Sequence, residues 1–171
     1  MPITISGSTG IAGVDGSAST PALQGTDTNT GVYFGADTIS FSEGGALVGQ
    51  FDSSANFQFN SGYGSVATAY GCRVWVNFNG TGTVAIRASG NVTSITDNGT
   101  GEYTVNLTTA LTDANYSVVG SCGTGAAGND DFSLTTNFNA APTTSAVRIG
   151  SQRANTGVTT DVAYISLAIF R

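Results

Sequence analysis

The sequence predicts an all-β protein in two parts: a short intertwined β-stem completed by further copies of the chain, then an antiparallel β-sandwich. Three observations predict it. Between Gly16 and Phe59, short apolar groups are interrupted every few residues by Gly, Asp, Asn, Ser or Thr. From Gly71 onward the apolar residues fall into longer runs with period-2 alternation, the pattern of strands that bury one face. Helical periodicity is missing throughout, and the weakly helical Thr108–Ala114 reads as a loop.

Residues 1–15 are small, with Ile3, Ile5, Ile11 and Val14 as their sizeable apolar anchors. Residues 16–62 form the stem. Its apolar groups are Val32-Tyr33-Phe34, Ile39 with Phe41, Leu47 to Phe51, and Phe57 with Phe59. Each supports a strand of only about 3–6 residues. Strands this short bury little, and their open edges are templates for pairing. Other copies of the chain are the economical source of the missing faces. Val32, Tyr33, Phe34, Ile39, Phe41, Phe51 and Phe57 are therefore the expected contacts between copies. Residues 63–70, flanked by Gly62 and Gly64, read as a linker.

In residues 71–171, Cys72, Val74, Val76 and Phe78 alternate with Arg73, Trp75 and Asn77. Tyr103, Val105 and Leu107 alternate with Glu102, Thr104 and Asn106. Further strands are expected at Val84–Ala88, Val92–Thr96, Tyr116–Gly120, Phe132–Phe138 and Ala146–Ser151. The most apolar run, Val162–Phe170, reads as a central strand buried on both faces. Asn79-Gly80, Ser89-Gly90 and Asn98-Gly99 supply turns. About eight strands at this spacing make an antiparallel sandwich.

Composition narrows the functional classes. The chain has 171 residues, 24 of them Gly, and only 9% are charged, so hydroxyls and amides solvate most of the surface. A net charge of −6 with no Lys argues against nucleic acid or an anionic membrane, which need clustered cations. The Arg residues are scattered at 73, 87, 148, 153 and 171. No stretch approaches the ~20 apolar residues of a membrane helix, and the first residues lack the basic and apolar regions of a secretory signal. Synthesis and assembly in a cytoplasm are expected. Cys72 and Cys122 are too few for a disulfide framework; reduced thiols in apolar surroundings are expected, with a bridge after release as the lesser option. The sequons at Asn79, Asn91, Asn98, Asn106 and Asn115 read as turn vocabulary rather than glycosylation sites.

The stem motif GTDTNTGVYFGADTISFSEGG followed by GQFDSSANFQF resembles the stem repeat of bacteriophage tail-fibre and tail-spike proteins. The matching residues are Asp27, Thr28, Thr30, Gly31, Val32 and Tyr33, then Asp52 to Asn56, with Ala55 where the family pattern usually has Gly. The resemblance covers residues 13–60. A weaker one over Cys72 to Ser121 looks like the terminal β-domain of marine phage fibre proteins. It implies a homotrimer in a virion: residues 1–15 dock onto other tail or capsid proteins, and the sandwich faces outward to a host surface glycan or protein. A capsid decoration or head-fibre protein, and less readily a polysaccharide-degrading spike, are the other readings.

Catalysis is argued against by what is missing. Without His there is no Ser-His-Asp or Cys-His pair, and without Lys no Schiff base or Ser-Lys dyad. A glycosidase-like carboxylate pair would have to come from Asp97, Glu102, Asp113, Asp130, Asp131 and Asp161, all expected in turns or on outward strand positions. No cofactor is expected, and Asp130-Asp131 reads as a solvated turn rather than a Ca²⁺ site. Asp27, Asn29 and Asp37 read as turn residues that bond their own backbone. Trp75 beside Arg73 invites a sugar-stacking reading, but Trp and Arg also favour interfaces, and packing against the stem or a neighbouring subunit is preferred. Recognition then falls to the loops Gly123–Asp131, Asn139–Ser145 and Gln152–Thr160. The receptor-contact candidates are Gly123, Asn129, Asp130, Asp131, Gln152, Arg153 and Asn155.

Overall fold

The computed structural model describes residues 5–6, 10–11, 13–125, 131–136 and 138–171. The chain is all-β, with antiparallel sheets and no helix among the described residues. It divides into two compact units, Met1–Ala69 and Tyr70–Arg171.

In the first unit, β1 (Ile5–Ser6) pairs with β2 (Gly10–Ile11). A six-stranded antiparallel meander follows: β3 (Leu23–Gln24), β4 (Gly31–Gly35), β5 (Thr38–Glu43), β6 (Ala46–Phe51), β7 (Phe57–Phe59) and β8 (Ala67–Thr68). Tight turns make these neighbours pair in chain order. Asp27 accepts the Asn29 N–H at 3.3 Å and the Thr30 hydroxyl at 2.8 Å, an Asx-type turn leading into β4. Asp52 closes the β6–β7 turn, accepting the Ser54 and Asn56 N–H groups, both at 2.9 Å. These bonds, the Asn56 N–H foremost, hold its carboxyl below the usual range. Ala55 sits in this turn at φ 61°, in the left-handed region that Gly occupies without strain, which explains why Gly is the residue expected there. The segment 63–70 is more than a linker, because β8 within it extends the sheet.

The second unit is a sandwich. One sheet has the order β10 (Ala85–Gly90), β9 (Cys72–Asn79), β16 (Tyr164–Phe170), β13 (Ser117–Gly123). The other runs β11 (Val92–Gly99), β12 (Glu102–Leu107), β15 (Ala146–Arg153), β14 (Phe132–Thr136). Val74, Val76 and Phe78 of β9 and Ile165, Leu167 and Ile169 of β16 face Tyr103, Val105, Val147 and Ile149 of the opposite sheet in one core. Phe78 meets Tyr103 edge-on at 5.2 Å between ring centroids. Full burial of each such side chain contributes about 1.5–3 kcal/mol.

The Tyr103 hydroxyl pins this core to its loops. It lies 2.9 Å from both the Gly80 carbonyl oxygen and Asp161 Oδ1, and the same Oδ1 accepts the Gly101 N–H at 2.6 Å. Burial, then the Asp161 hydrogen bond, pushes the phenol well above its usual value. Tyr103→Phe keeps the ring and strips the hydroxyl from the buried Gly80 carbonyl and from Asp161. Chemical denaturation is expected to show a loss of about 1–3 kcal/mol.

Two expectations need correction. β16 is central but not buried on both faces: Ile165, Leu167 and Ile169 are buried, whereas Tyr164 and Phe170 are exposed and Ser166 and Ala168 half-buried. No second layer of this unit covers its outer face, so its small residues there mark an open surface. Cys72, expected in apolar surroundings, is exposed at the start of β9, while Cys122 is half-buried and its thiol is pushed up by burial. Both are free. They flank β16 opposite Phe170 and Ile165 respectively. Five positions along a strand are about 16 Å, beyond the ~7 Å Cα reach of a disulfide.

Candidate functional site

The six-stranded sheet of the first unit has two unlike faces. Its register aligns Leu23, Val32, Phe41, Gly49 and Phe59 in one row and Phe34, Ile39, Phe51 and Phe57 in the next. All project to the same side, since directly opposed residues share a face. Leu23, Phe34, Ile39, Phe41, Phe51, Phe57 and Phe59 are 36–46% exposed. The rings touch one another: Phe51 and Phe57 centroids are 5.4 Å apart, Phe57 and Phe59 6.3 Å. The opposite face carries Tyr33, Ser40, Gln50, Gln58 and Thr68 across five strands. Here the polar groups satisfy each other. Gln50 donates to Gln58 at 2.7 Å, and Gln58 donates to Asp52 at 2.8 Å.

Not one large apolar side chain is buried among the described residues of this unit; the buried positions are Pro21, Ser40, Ser42 and Gly49. Of the expected contacts between copies, Val32, Phe34, Ile39, Phe41, Phe51 and Phe57 share the apolar face. Tyr33 falls on the polar one by alternation. Leu23 and Phe59 join the face unexpectedly. Phe59 was readable from its i, i+2 spacing to Phe57, whereas Leu23 lies in a two-residue strand with no periodic signal.

In the sandwich, strand directions separate the three candidate loops. The chain enters at Cys72, opposite Phe170 of β16, and the Thr136–Ala146 connection lies at that same end. Gly123, Phe132 and the Arg153–Tyr164 connection lie at the far end. Asn139–Ser145 is thus apart from the other two loops. At the far end, Ala154 N–H donates to the Asp131 carbonyl at 2.9 Å. The Arg153 guanidinium sits 5.2 Å from the Phe132 ring centroid, and Asn155 is exposed in the following turn. Gln152 points to the outer face and donates to the Thr135 hydroxyl at 2.9 Å. Gly123 ends β13 opposite Tyr164. Asn129 and Asp130 lie outside the described residues.

No family model, curated protein or solved structure matches this chain. Its chemistry must be argued from its own side chains.

Four of the six carboxylates weighed for a catalytic pair, Glu102, Asp113, Asp97 and Asp161, have structural partners. Glu102 accepts from Arg148 at 2.7 Å, and Asp113 holds Arg171 at 2.6 Å. The Asp113 carboxyl lies below its usual range, chiefly because of that Arg171 bond. Asp97 accepts the Gly99 N–H at 3.0 Å, and Asp161 serves Tyr103 and Gly101. Among the described residues no three His, Cys, Asp or Glu cluster as metal ligands.

Trp75, Arg73 and Asn77 project from the outer face of β9, as the alternation requires. Arg87 joins them through a feature the sequence conceals. The β10–β9 register shifts between Ile86 and Ala88, and this bulge re-aims Arg87 so that its guanidinium lies 4.3 Å from the Tyr164 ring centroid.

Proposed function

We propose that this chain is a structural virion protein: a short homotrimeric bacteriophage tail fibre, or the tip of one, that adheres to the host cell surface without catalysing a reaction. The observation that carries the proposal is the uncovered aromatic face of the stem sheet, which calls for identical neighbours. The tail-fibre-like turns at Asp27–Tyr33 and Asp52–Asn56 support the same reading. In it, residues 1–15 dock onto other tail or capsid proteins, and the far-end loops of the sandwich meet a host glycan or protein. The chain takes no cofactor, no nucleic acid and no place within a membrane. Three weak identical sites gain avidity through effective concentration, by about 10²–10⁴-fold.

Two variants test this polarity. Exchanging Gln152–Thr160 for the loop of another fibre is expected to change adsorption to host cells while leaving incorporation into particles intact. Deleting residues 1–15 is expected to give a soluble oligomer that no longer joins the particle. The reverse pair of results would remove the basis for adhesion.

A further inference from the structure

We propose that the outer face of the β10-β9-β16-β13 sheet binds a neutral glycan, with Trp75 as its stacking surface. For its biological role this site rests on the adhesion reading, but it lies on a sheet face rather than on the loops.

The two outer faces of the sandwich differ in kind. On the β12 side, polar groups pair among themselves: Asn106 donates to Ser94 at 3.1 Å and Thr96 at 2.9 Å, and Asn98 to Thr104 at 2.8 Å. The β9 side instead exposes Trp75, Val119, Tyr164 and Phe170. Trp75 lies opposite Gly90 on one side and Ala168 on the other. Its indole rests on Gly90, where any Cβ would collide with the ring. The missing side chain therefore lets the indole lie flat across β10, with 45% of the residue exposed.

Beside it runs an open groove of about 280 Å³ lined by Trp75, Asn77, Val119, Ser121, Ser166 and Ala168. That volume is close to the ~300 Å³ lower end of small-ligand sites, room for one or two pyranose rings. Small residues make the floor, and Asn77 is fixed by its 2.6 Å bond to Ser166. The indole N–H of Trp75 and the Ser121 hydroxyl have no partner within the described chain.

This chemistry selects among occupants. The stem face is purely apolar and suits another copy. Here the Ser121 hydroxyl and the Trp75 indole N–H interleave with apolar groups, and a dry protein contact would leave both unsatisfied. A pyranose presents an apolar C–H face and hydroxyl edges, matching both. The groove lining itself carries no charged side chain. Arg87 at its edge donates to the Asn77 amide oxygen at 3.5 Å and lies over the Tyr164 ring, held within the sheet rather than aimed into the groove, so the proposed ligand is uncharged. A nucleic acid strand, which also stacks on aromatics, requires a positive groove.

Trp75 is the only Trp in the chain, so its emission reports the site directly in the intact assembled protein. Free protein is expected to show a red-shifted emission open to acrylamide quenching. Titration with maltohexaose, cellohexaose and a β-1,4-galactan oligosaccharide is expected to give, with at least one, a saturable blue shift and protection from acrylamide in the millimolar range. Polygalacturonate should give none. Gly90→Val, which lifts the indole off the sheet but keeps the fluorophore, should weaken the response at least tenfold; Ala168→Leu, which fills the floor, should do the same. An indole already shielded in the free protein would overturn the site, as would silence toward all three neutral sugars or a response to polygalacturonate alone. The adhesion reading fails separately: particles that adsorb normally without this chain would refute it even if Trp75 bound sugar, and adsorbing particles whose Trp75 ignores sugar would refute only the site.

Discussion

Replacing Phe51 and Phe57 together by Asp is expected to convert the assembled protein into single chains with an intact sandwich. Both rings sit in the second row of the first unit's apolar sheet face, in contact with each other. Seven large side chains, each about two-fifths exposed, leave ~500–600 Å² of apolar surface per copy. At about 25 cal/mol per Å² its burial is worth ~14 kcal/mol per copy, enough to meet an association cost of about 4–15 kcal/mol. Two carboxylates placed there would have to be desolvated without partners, at several kcal/mol each. Analytical ultracentrifugation should give a trimer for the native chain, resistant to dilution, and a monomer for the variant. A folded native monomer, or a variant with native mass, would contradict the use of this face.

Separating the units should divide their stabilities just as sharply. Residues 70–171 are expected to fold alone and unfold cooperatively, because the buried apolar core of the described residues, from Val74 to Ile169, belongs to that unit. Residues 1–69 are expected to be unfolded at low concentration and to aggregate when concentrated. Their sheet is a single layer that buries no large apolar side chain among the described residues, against a backbone entropy cost of about 1–2 kcal/mol per residue. Circular dichroism across a dilution series would distinguish the outcomes. A monomeric 1–69 fragment with a cooperative melt would overturn the single-layer argument.

Much of this architecture is legible in the chain because strand alternation is a local property. Tyr103, Val105 and Leu107 announce their buried face, and Cys72–Phe78 assigns Trp75 to the outer side. What escapes is whatever depends on neighbouring strands. The run Val162–Phe170 looks buried on both faces because Ala168 and Ser166 are small, and only the sheet order shows their side to be uncovered. Alternation parts Tyr33 from Phe34, but only the neighbouring strands show that Tyr33 shares its face with Ser40 and Gln50 and Phe34 its face with Ile39 and Phe51. The Arg87–Tyr164 contact depends on a bulge between Ile86 and Ala88, and no composition signal marks it. The separation of Asn139–Ser145 from the other loops follows from strand direction, which a residue-by-residue reading does not supply.

The path of the last strand also governs how this molecule could carry cargo. β16 runs back toward the end where the chain enters the sandwich, finishing with Phe170 opposite Cys72, and the Arg171–Asp113 ion pair holds Arg171 there. A peptide fused after Arg171 would therefore emerge beside the incoming strand, not among the far-end loops. A label, epitope or affinity handle meant for that far end should be spliced into the exposed Ala154–Gly157 turn, where the chain already reverses direction through the Gly157 N–H bond to the Arg153 carbonyl.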